Sequence, residues 1–265
     1  MKPTEKAPEE EEKLEVEKDV ITEIPEIETE TKPEVKIDVE GWDPKTSTGR
    51  KVKAGEITDI DSILDNGIPI LEEQIVDVLM PNLQTELLMI GQSKGKFGGG
   101  ARRIFKQTQK KTPEGNKPSF ACMAVAGNED GYVGVGYGKS KDTVPAREKA
   151  IRNAKLALFK IRRGAGSWED ATSEPHSIPW TVSGKCGSVK IILMPAPKGK
   201  GLIVEQECAK ILKLAGIENI YSKAFGQTRS KSNMIMACID ALKKLNTFKP
   251  RPVNIKNVYM IEGKR

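Results

Sequence analysis

Residues 131–140 read Gly-Tyr-Val-Gly-Val-Gly-Tyr-Gly-Lys-Ser, with glycine at every second position from Gly134 to Gly138. Because successive side chains of a strand point to opposite faces, this spacing predicts a strand with one bare face, which another backbone can approach closely. A phosphate-binding loop does not fit, since its first glycine would fall at Val133. The dinucleotide-binding fingerprint fails as well, because its third glycine would fall at Lys139.

The residues around this strand predict a unit with the order β-β-β-α and a basic rim. Leu87–Gly91 and Ile104–Thr108 are strand segments, Lys110–Pro118 is a turn, and the apolar run Ser119–Gly127 is a further strand. A helix is expected to begin at a Thr143 cap. Its core stripe has spacings of three and four residues and consists of Ile151, Ala154, Leu158 and Ile161.

A second unit with the order β-β-α-β-α is expected to follow. Trp180–Val182 and Ser188–Met194 predict a hairpin, and Leu202–Ala215 predicts a helix that ends before a glycine. Asn219–Phe225 is typical of a short strand, and a serine cap at position 230 or 232 precedes the last helix. After Thr247, the segment Lys249–Pro252 is expected to be extended and basic.

The charge is distributed unevenly along the chain. The formal net charge is +6, yet residues 1–40 carry 15 Asp and Glu against 6 Lys and Arg, whereas residues 81–265 carry 33 Lys and Arg against 14 Asp and Glu. A body this basic favours a polyanionic partner, although a merely soluble cationic surface is the alternative. Residues 1–40 hold too few apolar side chains to form a core, which predicts a disordered acidic tail. That tail is either only solvated, or it mimics nucleic acid or shields the basic body before assembly.

Together these patterns divide the chain into five segments. They are an acidic tail (1–40), an arm with two short amphipathic helices (41–81), a first domain (82–165), a second domain (176–247) and a basic C-terminal tail (248–265). The arm helices are expected at Ile57–Leu64 and Glu72–Met80, and because they have little core of their own they should pack on something else.

Residue types suited to catalysis or metal binding are scarce. The single histidine is His176, and the four cysteines lack a C-x-x-C spacing, so no metal, cofactor or catalytic triad is predicted. Each cysteine lies in an apolar run, as a small buried hydrophobic residue would. Together with the lack of an apolar N-terminal segment this indicates a reducing cytoplasm, and no run approaches the roughly 20 apolar residues of a membrane span. Aromatic residues make up 5% of the chain, which argues against a surface that stacks unpaired bases and favours recognition of folded RNA by shape.

Three basic segments are candidates for phosphate binding. The loop Lys94–Arg103 combines four cations with glycines that let main-chain amides approach a ribose-phosphate chain. Lys198 and Lys200 precede a predicted helix, whose free N–H groups favour an anion. Arg229 and Lys231 repeat that arrangement before the last helix. For the first segment the alternative is a flexible solvated loop, and for the other two it is a structural linker.

The stretch Gly115–Lys139 closely resembles the signature of the small-subunit ribosomal protein family S five, called S two in eukaryotic nomenclature. Pro195–Gly201 and Leu214–Ile217 match the same family in order and spacing, and the resemblance covers roughly Trp42–Lys249. The arm resembles the archaeal and eukaryotic branch. The acidic residues 1–40 are not part of the family pattern, so their role stays open.

The resemblance implies an α+β fold with two domains. The first is similar to a double-stranded-RNA-binding fold, with a three-stranded sheet and a helix, and the second is a βαβα domain of the S five type. It also implies a non-enzymatic constituent of the small ribosomal subunit. Its partners would be small-subunit rRNA near the decoding region and the mRNA entrance, the mRNA nearby, and neighbouring proteins of the S four and S eight families. Members of the family influence decoding accuracy.

With the resemblance, the expected rRNA-binding residues form one set in the basic segments. They are Lys94, Lys96, Gly98, Gly99, Gly100, Arg102, Arg103, Lys139, Lys198, Lys200, Arg229 and Lys231. Two other functions are the alternatives. An RNA-dependent enzyme would need a phosphate loop, paired carboxylates or histidines, which the sequence lacks. A free-standing regulator that binds double-stranded RNA would differ in sedimenting apart from small subunits.

Overall fold

The structure, a computed structural model, describes residues 42–93, 102–170 and 174–264. Its first part is an arm of three short helices, α1 (Ser47–Lys53), α2 (Ile60–Asp65) and α3 (Glu73–Leu79). The apolar spacing did not predict α1, because that helix buries only Gly49 and Val52. The other two helices form where the sequence indicated: α2 begins three residues later and ends one residue later than predicted, and α3 lies within Glu72–Met80.

The arm has a small core that is completed by the first sheet. Its buried side chains pack against Tyr132 and Leu158, so the arm lies on the main body. A polar contact adds to this attachment, because the Tyr132 hydroxyl donates a hydrogen bond of 2.7 Å to Asp61. Burial and that hydrogen bond raise the pKa of Tyr132. The arm residues of this core are Val52, Ile60, Ile63, Ile70, Ile75, Val76 and Met80.

The first sheet is antiparallel and is built around one long strand. Its strands are β1 (Gln84–Leu88), β2 (Lys106–Thr112), β3 (Gly115–Gly127), β4 (Tyr132–Ser140) and β5 (Phe159–Lys160). The order is β1-β3-β4-β5, with β2 paired to the first half of β3 and β1 to its second half. The predicted turn over Lys110–Pro118 is wrong: β2 and β3 continue through most of it as a hairpin that turns only between Thr112 and Gly115.

Helix α4 (Thr143–Leu156) covers one face of this sheet. It begins at the predicted residue, with Asp142 rather than Thr143 in the cap position, and it ends before two members of the predicted stripe. Leu158 is buried against the arm, whereas Ile161 is buried in the main core. Each residue is therefore buried by a separate tertiary contact, and their helical spacing does not mark a continuous helix face. The stripe that faces the sheet consists of Ala146, Ala150 and Ala154.

The alternating glycines of β4 allow this helix to lie unusually close. A Cβ added at Gly134 would come within 2.2 Å of the Ala154 carbonyl oxygen, and one added at Gly138 within 2.2 Å of the Ala146 carbonyl oxygen. The predicted bare face is thus confirmed, and the approaching backbone is that of α4. On the opposite face of β4, Val133 is buried and Val135 is half-buried in the main core.

The second sheet has four strands, of which the outer hairpin strand Val182–Cys186 is followed across the sheet by Val189–Pro195, Ile220–Phe225 and Leu202–Ile203. After the short β6 (Arg162–Arg163), the elements are β7 (Val182–Cys186), β8 (Val189–Pro195), β9 (Leu202–Ile203), α5 (Gln206–Leu214), β10 (Ile220–Phe225) and α6 (Lys231–Thr247). The helix predicted to begin at Leu202 begins instead at Gln206, because Leu202 and Ile203 pair with β10 in parallel. The predicted hairpin is present, but its first strand is Val182–Cys186 and not Trp180–Val182.

One hydrophobic core joins the two sheets. It includes Leu88 and Val125 of the first sheet and Ile191 of the second, with α5 and α6 supplying Ile211 and Leu242 among others. The layers therefore run from α4 through the first sheet and the α5–α6 layer to the second sheet. The predicted α+β class with two sheet-and-helix units is confirmed.

The chain beyond α6 is more ordered than the sequence predicted. It forms α7 (Pro252–Asn257) and β11 (Ile261–Glu262), and β11 pairs antiparallel with β6. The expectation of an extended segment therefore holds only around Lys249–Arg251. Among the described residues, no helix is long and apolar enough to cross a bilayer.

Candidate nucleic-acid interface

Several cations of the predicted basic rim are neutralised within the protein. Their carboxylate partners come from the arm, from the β3–β4 turn and from β11, all far away in sequence. The pairs are Arg152–Glu73 (3.1 Å), Lys155–Asp77 (2.6 Å), Lys160–Asp65, Arg162–Glu262 (3.0 Å) and Arg163–Asp130 (2.6 Å). This side of the first domain therefore holds the arm and the C-terminal strand in place, and its cations contribute less positive potential than the sequence suggests.

The predicted loop is described only at its C-terminal end. Lys94, Lys96, Gly98, Gly99 and Gly100 lie outside the described residues. Arg102 forms an isolated β-bridge with Ser93, which closes the base of the loop.

Two of the predicted basic segments meet at Arg102. Its guanidinium donates to the Gly91 carbonyl at 3.4 Å and to the Arg229 carbonyl at 3.3 Å. The chain thus brings Arg102 and Arg229, which are 127 residues apart, into contact. Arg103 is exposed beside them and lines a polar groove of about 510 Å³. Gln92, Ser93, Phe105, Gln107 and Gln109 form the rest of that groove.

The β2–β3 hairpin is a cationic feature that the sequence interpretation missed. Lys106, Lys110, Lys111 and Lys117 are all exposed on it. Lys110 and Lys117 are directly opposite each other in the register, an arrangement that repels in the free protein. Within the part of the chain that the structure describes, only Lys117 of these four has a carboxylate nearby, and that pair with Glu114 is too exposed to neutralise much charge. Clustered lysines on both sides of a short turn were the available signal.

The remaining predicted cations divide into free and paired ones. Lys139, Lys200 and Arg229 are exposed and have no carboxylate partner within the described residues. Lys198 pairs with Glu174 at 2.5 Å, and that hydrogen bond and charge raise the pKa of Lys198. Lys231 is largely buried and pairs with Glu205 at 2.5 Å.

The anion site expected at the start of α5 is occupied by the protein itself. The Glu205 carboxylate caps the helix by accepting hydrogen bonds from the amides of Glu207 (3.1 Å) and Cys208 (3.3 Å). Lys231 then pairs with the other oxygen of the same carboxylate. These groups therefore link α5 to α6, and the free amides on which the prediction depended are not available.

Buried polar contacts fix the two basic domains relative to each other. Glu207, which is 2% exposed, accepts a 2.8 Å hydrogen bond from the Met89 amide of the first domain. The amides of Glu129 and Gly131 donate to carbonyls at the end of α5, at 2.9 and 3.2 Å. A hydrogen bond to a charged group contributes about 1.5–3 kcal/mol, so Glu207 alone gives this junction considerable stability. These contacts hold the two domains in one arrangement.

The described residues contain no candidate metal site. No group of three His, Cys, Asp or Glu side chains among them is arranged to hold an ion. The one histidine, His176, is buried and contacts Asp170 and Asn219 in the connection between the domains. Its hydrogen bonds organise that connection.

Comparison with known proteins gives consistent matches over most of the chain. The family model described as "Ribosomal protein S5, N-terminal domain" matches residues 104–162, and that described as "Ribosomal protein S5, C-terminal domain" matches residues 184–256. "Small ribosomal subunit protein uS5" of Nanoarchaeum equitans is 48% identical over 227 residues, which covers 86% of this chain and 97% of the relative. The protein of the same name from Methanocaldococcus jannaschii is 42% identical over 230 residues, covering 87% and 99% respectively.

Proposed function

The chain belongs to the ribosomal protein S5 family, and on that premise we propose that it binds small-subunit rRNA near the decoding region and the mRNA entrance. As a member of this family it is a structural, non-enzymatic, RNA-binding constituent of the small subunit of the cytoplasmic ribosome. We further propose which residues contact rRNA and which ribosomal proteins are its neighbours, and that the protein supports decoding accuracy.

The observation that carries the proposal is the selective neutralisation of the cations. Carboxylates of the arm, the β3–β4 turn and β11 pair with five cations of α4, β5 and β6. Among the described residues, no carboxylate pairs with Arg102, Arg103 or Arg229, or with the hairpin lysines Lys106, Lys110 and Lys111. Solubility alone does not require exposed cations to be grouped, or two lysines to lie directly opposite each other on one hairpin. Phosphates supply the missing counter-charge and relieve the repulsion between opposed lysines.

The proposed phosphate-contacting set combines predicted and newly found residues. It retains the predicted Arg102, Arg103, Lys139, Lys200 and Arg229, with Lys94, Lys96 and Gly98–Gly100 as the rest of the loop. Lys106, Lys110, Lys111 and Lys117 are added, while Lys198 and Lys231 act mainly through their internal ion pairs. Contacts of this kind position the protein on a folded RNA without reading its bases.

The salt dependence of rRNA binding tests this assignment. Each neutralised phosphate contributes roughly −0.9 to the slope of log affinity against log salt on a duplex, so R102A combined with R103A lowers the slope by up to about two units. Binding of a small-subunit rRNA transcript is measured over a range of potassium concentrations. Arg152→Ala is the matched control, because its guanidinium is also exposed but pairs with Glu73. An unchanged slope in the double variant, or an equal change in the control, contradicts the assignment.

The neighbours and domain limits are part of the same proposal. We place the protein beside the S four and S eight families and close to mRNA, and a crosslink map of the assembled subunit checks each neighbour. The proposed domains, 82–165 and 176–247, each contain one of the two sheets, and the proposed arm, 41–81, contains α1–α3. The C-terminal segment 248–265 contains α7 and β11. The acidic residues 1–40 lie outside the described part of the chain.

A further inference from the structure

The second sheet has one face that no described helix covers. Helices α5 and α6 pack on its inner face, where Val189, Ile191 and Leu193 are fully buried. The alternate residues of β8 point the other way: Lys190 is exposed, and Ile192 is only half-buried. None of the described hydrophobic clusters includes the side chains of this outer face.

The strand register brings a defined set of side chains together on this outer face. Lys185, Lys190 and Phe225 form one row, Ser183, Ile192 and Lys223 the next, and Met194, Tyr221 and Ile203 the third. We call these nine residues the open face. Phe225 is 49% exposed and Ile203 is 51% exposed.

The open face is cationic and free of opposing charge within its sheet. Three of its nine residues are lysine, and β7, β8, β9 and β10 contain no Asp or Glu. The nearest carboxylate of α6, Asp240, accepts from the backbone amide of Lys185 at 3.0 Å, from the helical side of the sheet. Asp240 is itself paired with Lys244, whose hydrogen bond lowers the pKa of that carboxyl.

We propose that the open face binds an unpaired stretch of RNA, with bases stacked on Tyr221 and Phe225 and phosphates held by Lys185, Lys190 and Lys223. This inference goes beyond the shape-reading contacts proposed above and rests on RNA being the partner. Single-stranded nucleic acid is bound by this combination of aromatic rings and flanking cations on an open sheet. The low aromatic content of the chain argued against such a surface, but the fold collects two rings on one sheet face.

The spacing of the two rings favours an extended single strand over a duplex. Tyr221 and Phe225 are four residues apart on β10, hence on the same face and separated by about 13 Å. In a duplex each base is covered on both faces by its stacked neighbours, so bases can stack on two separate rings only where the strand is unpaired and its stack is opened. Lys223 lies between the rings on the same face, where a phosphate of that strand would pass.

A protein partner fits this surface less well. Lysine is depleted in the buried centres of protein interfaces, because burying an ammonium group without a carboxylate is costly. On the open face, the lysines alternate with the apolar side chains instead of forming a rim around them. RNA offers a counter-charge at every nucleotide and a π-face at every base, so it satisfies both kinds of residue.

Binding of short oligonucleotides by the full chain tests the inference. The probes are a fluorescently labelled ten-nucleotide RNA strand, the same strand with abasic sites, and a hairpin of the same length, measured by anisotropy at fixed salt. Stacking of one base is worth about 1–3 kcal/mol by alanine substitution, so Y221A and F225A each weaken binding of the intact strand between about fivefold and about 150-fold. Phe225→Trp restores the affinity, and Tyr259→Ala, at an equally exposed residue outside the sheet, leaves it unchanged.

Further measurements separate this site from the rRNA contacts of the proposed function. Lys223→Gln lowers the salt slope of strand binding by about one unit while F225A leaves it unchanged, because only the first removes a charge. R102A combined with R103A weakens rRNA binding without reducing the effect of F225A on the short strand. Thermal melting of each variant verifies that it is folded.

Three outcomes overturn the inference. Equal affinity for the intact and the abasic strand shows that phosphates alone are bound. Equal loss with Y259A shows that any exposed ring contributes as much. If Y221A and F225A leave strand binding unchanged but reduce incorporation into small subunits, the open face contacts a ribosomal protein, while the proposed rRNA contacts still stand.

Discussion

Substituting Gly136 with alanine tests the close contact on which the first domain depends. Alanine in place of glycine inside a strand normally favours folding by about 0.5–1 kcal/mol, because it restricts the unfolded chain. At Gly136, however, the new Cβ would lie 2.1 Å from the Ala154 amide nitrogen and 2.3 Å from the Ala150 carbonyl oxygen. Both atoms belong to the helix backbone, so no side-chain rotation relieves the clash.

The cost follows from how far α4 must withdraw. Moving a packed backbone by about 1 Å weakens contacts along the whole helix–sheet interface, and overpacking of this kind costs about 1–3 kcal/mol or more. We expect a net loss near 3 kcal/mol. For a folded body of this size, each kcal/mol lowers Tm by roughly 2–4 °C, so the expected decrease is roughly 6–12 °C.

Thermal and urea unfolding of the full chain measure this loss. Gly55→Ala is the control: it adds the same methyl at a left-handed residue with φ of 78° and no atom within 4 Å of the new Cβ, so it carries only the backbone strain of about 1–2 kcal/mol. A150G combined with G136A should not restore stability, since the obstacle is the backbone of residue 150. If G136A is no more destabilising than G55A, or if A150G rescues it, the close-approach reasoning is wrong.

Three further predictions concern ionisable groups. Burial opposes ionisation of Glu72, but hydrogen bonds from the start of the arm outweigh it and lower its pKa. Its stabilisation is therefore present above the ordinary value of 4.5 and lost as pH falls through the folded pKa, so the advantage of wild type over E72Q in urea unfolding at pH 7 should shrink as the pH is lowered below 4.5. Asp130→Asn leaves the nearly buried Arg163 guanidinium without its carboxylate and should cost about 2 kcal/mol in the same assay, less than a fully buried pair because Asp130 is 32% exposed at its side chain. Burial raises the pKa of Cys122, so at pH 8 a thiol reagent should label the half-buried Cys186 in the native protein and Cys122 only after denaturation.

Local patterns predicted the parts of the fold whose causes are local. The glycine alternation from Gly134 to Gly138 identified a bare strand face, and the structure supplies the helix backbone that lies on it. The same reasoning extended α4 too far, because Leu158 and Ile161 are buried by different clusters and continue a helical spacing by coincidence. Periodicity reports that a residue is buried, but not which element buries it.

The candidate site was harder to predict because charge pairing is a long-range property. Lys155 and Arg162 are cations in a basic stretch, yet Asp77 and Glu262 neutralise them from 78 and 100 residues away. The contact between Arg102 and Arg229 also depends on tertiary structure, as does the collection of scarce aromatic residues on one sheet face. Composition could indicate a polyanionic partner, but only the fold distinguishes free cations from paired ones.

Sedimentation through a gradient tests the central claim most directly. The full chain, tagged and expressed in cells of an archaeon, is followed across fractions of the lysate at moderate salt and again after a high-salt wash. A structural constituent of the small subunit sediments with small subunits at moderate salt and is lost only as its phosphate contacts are screened. A chain that runs mainly at the top of the gradient at moderate salt, apart from small subunits, contradicts the account.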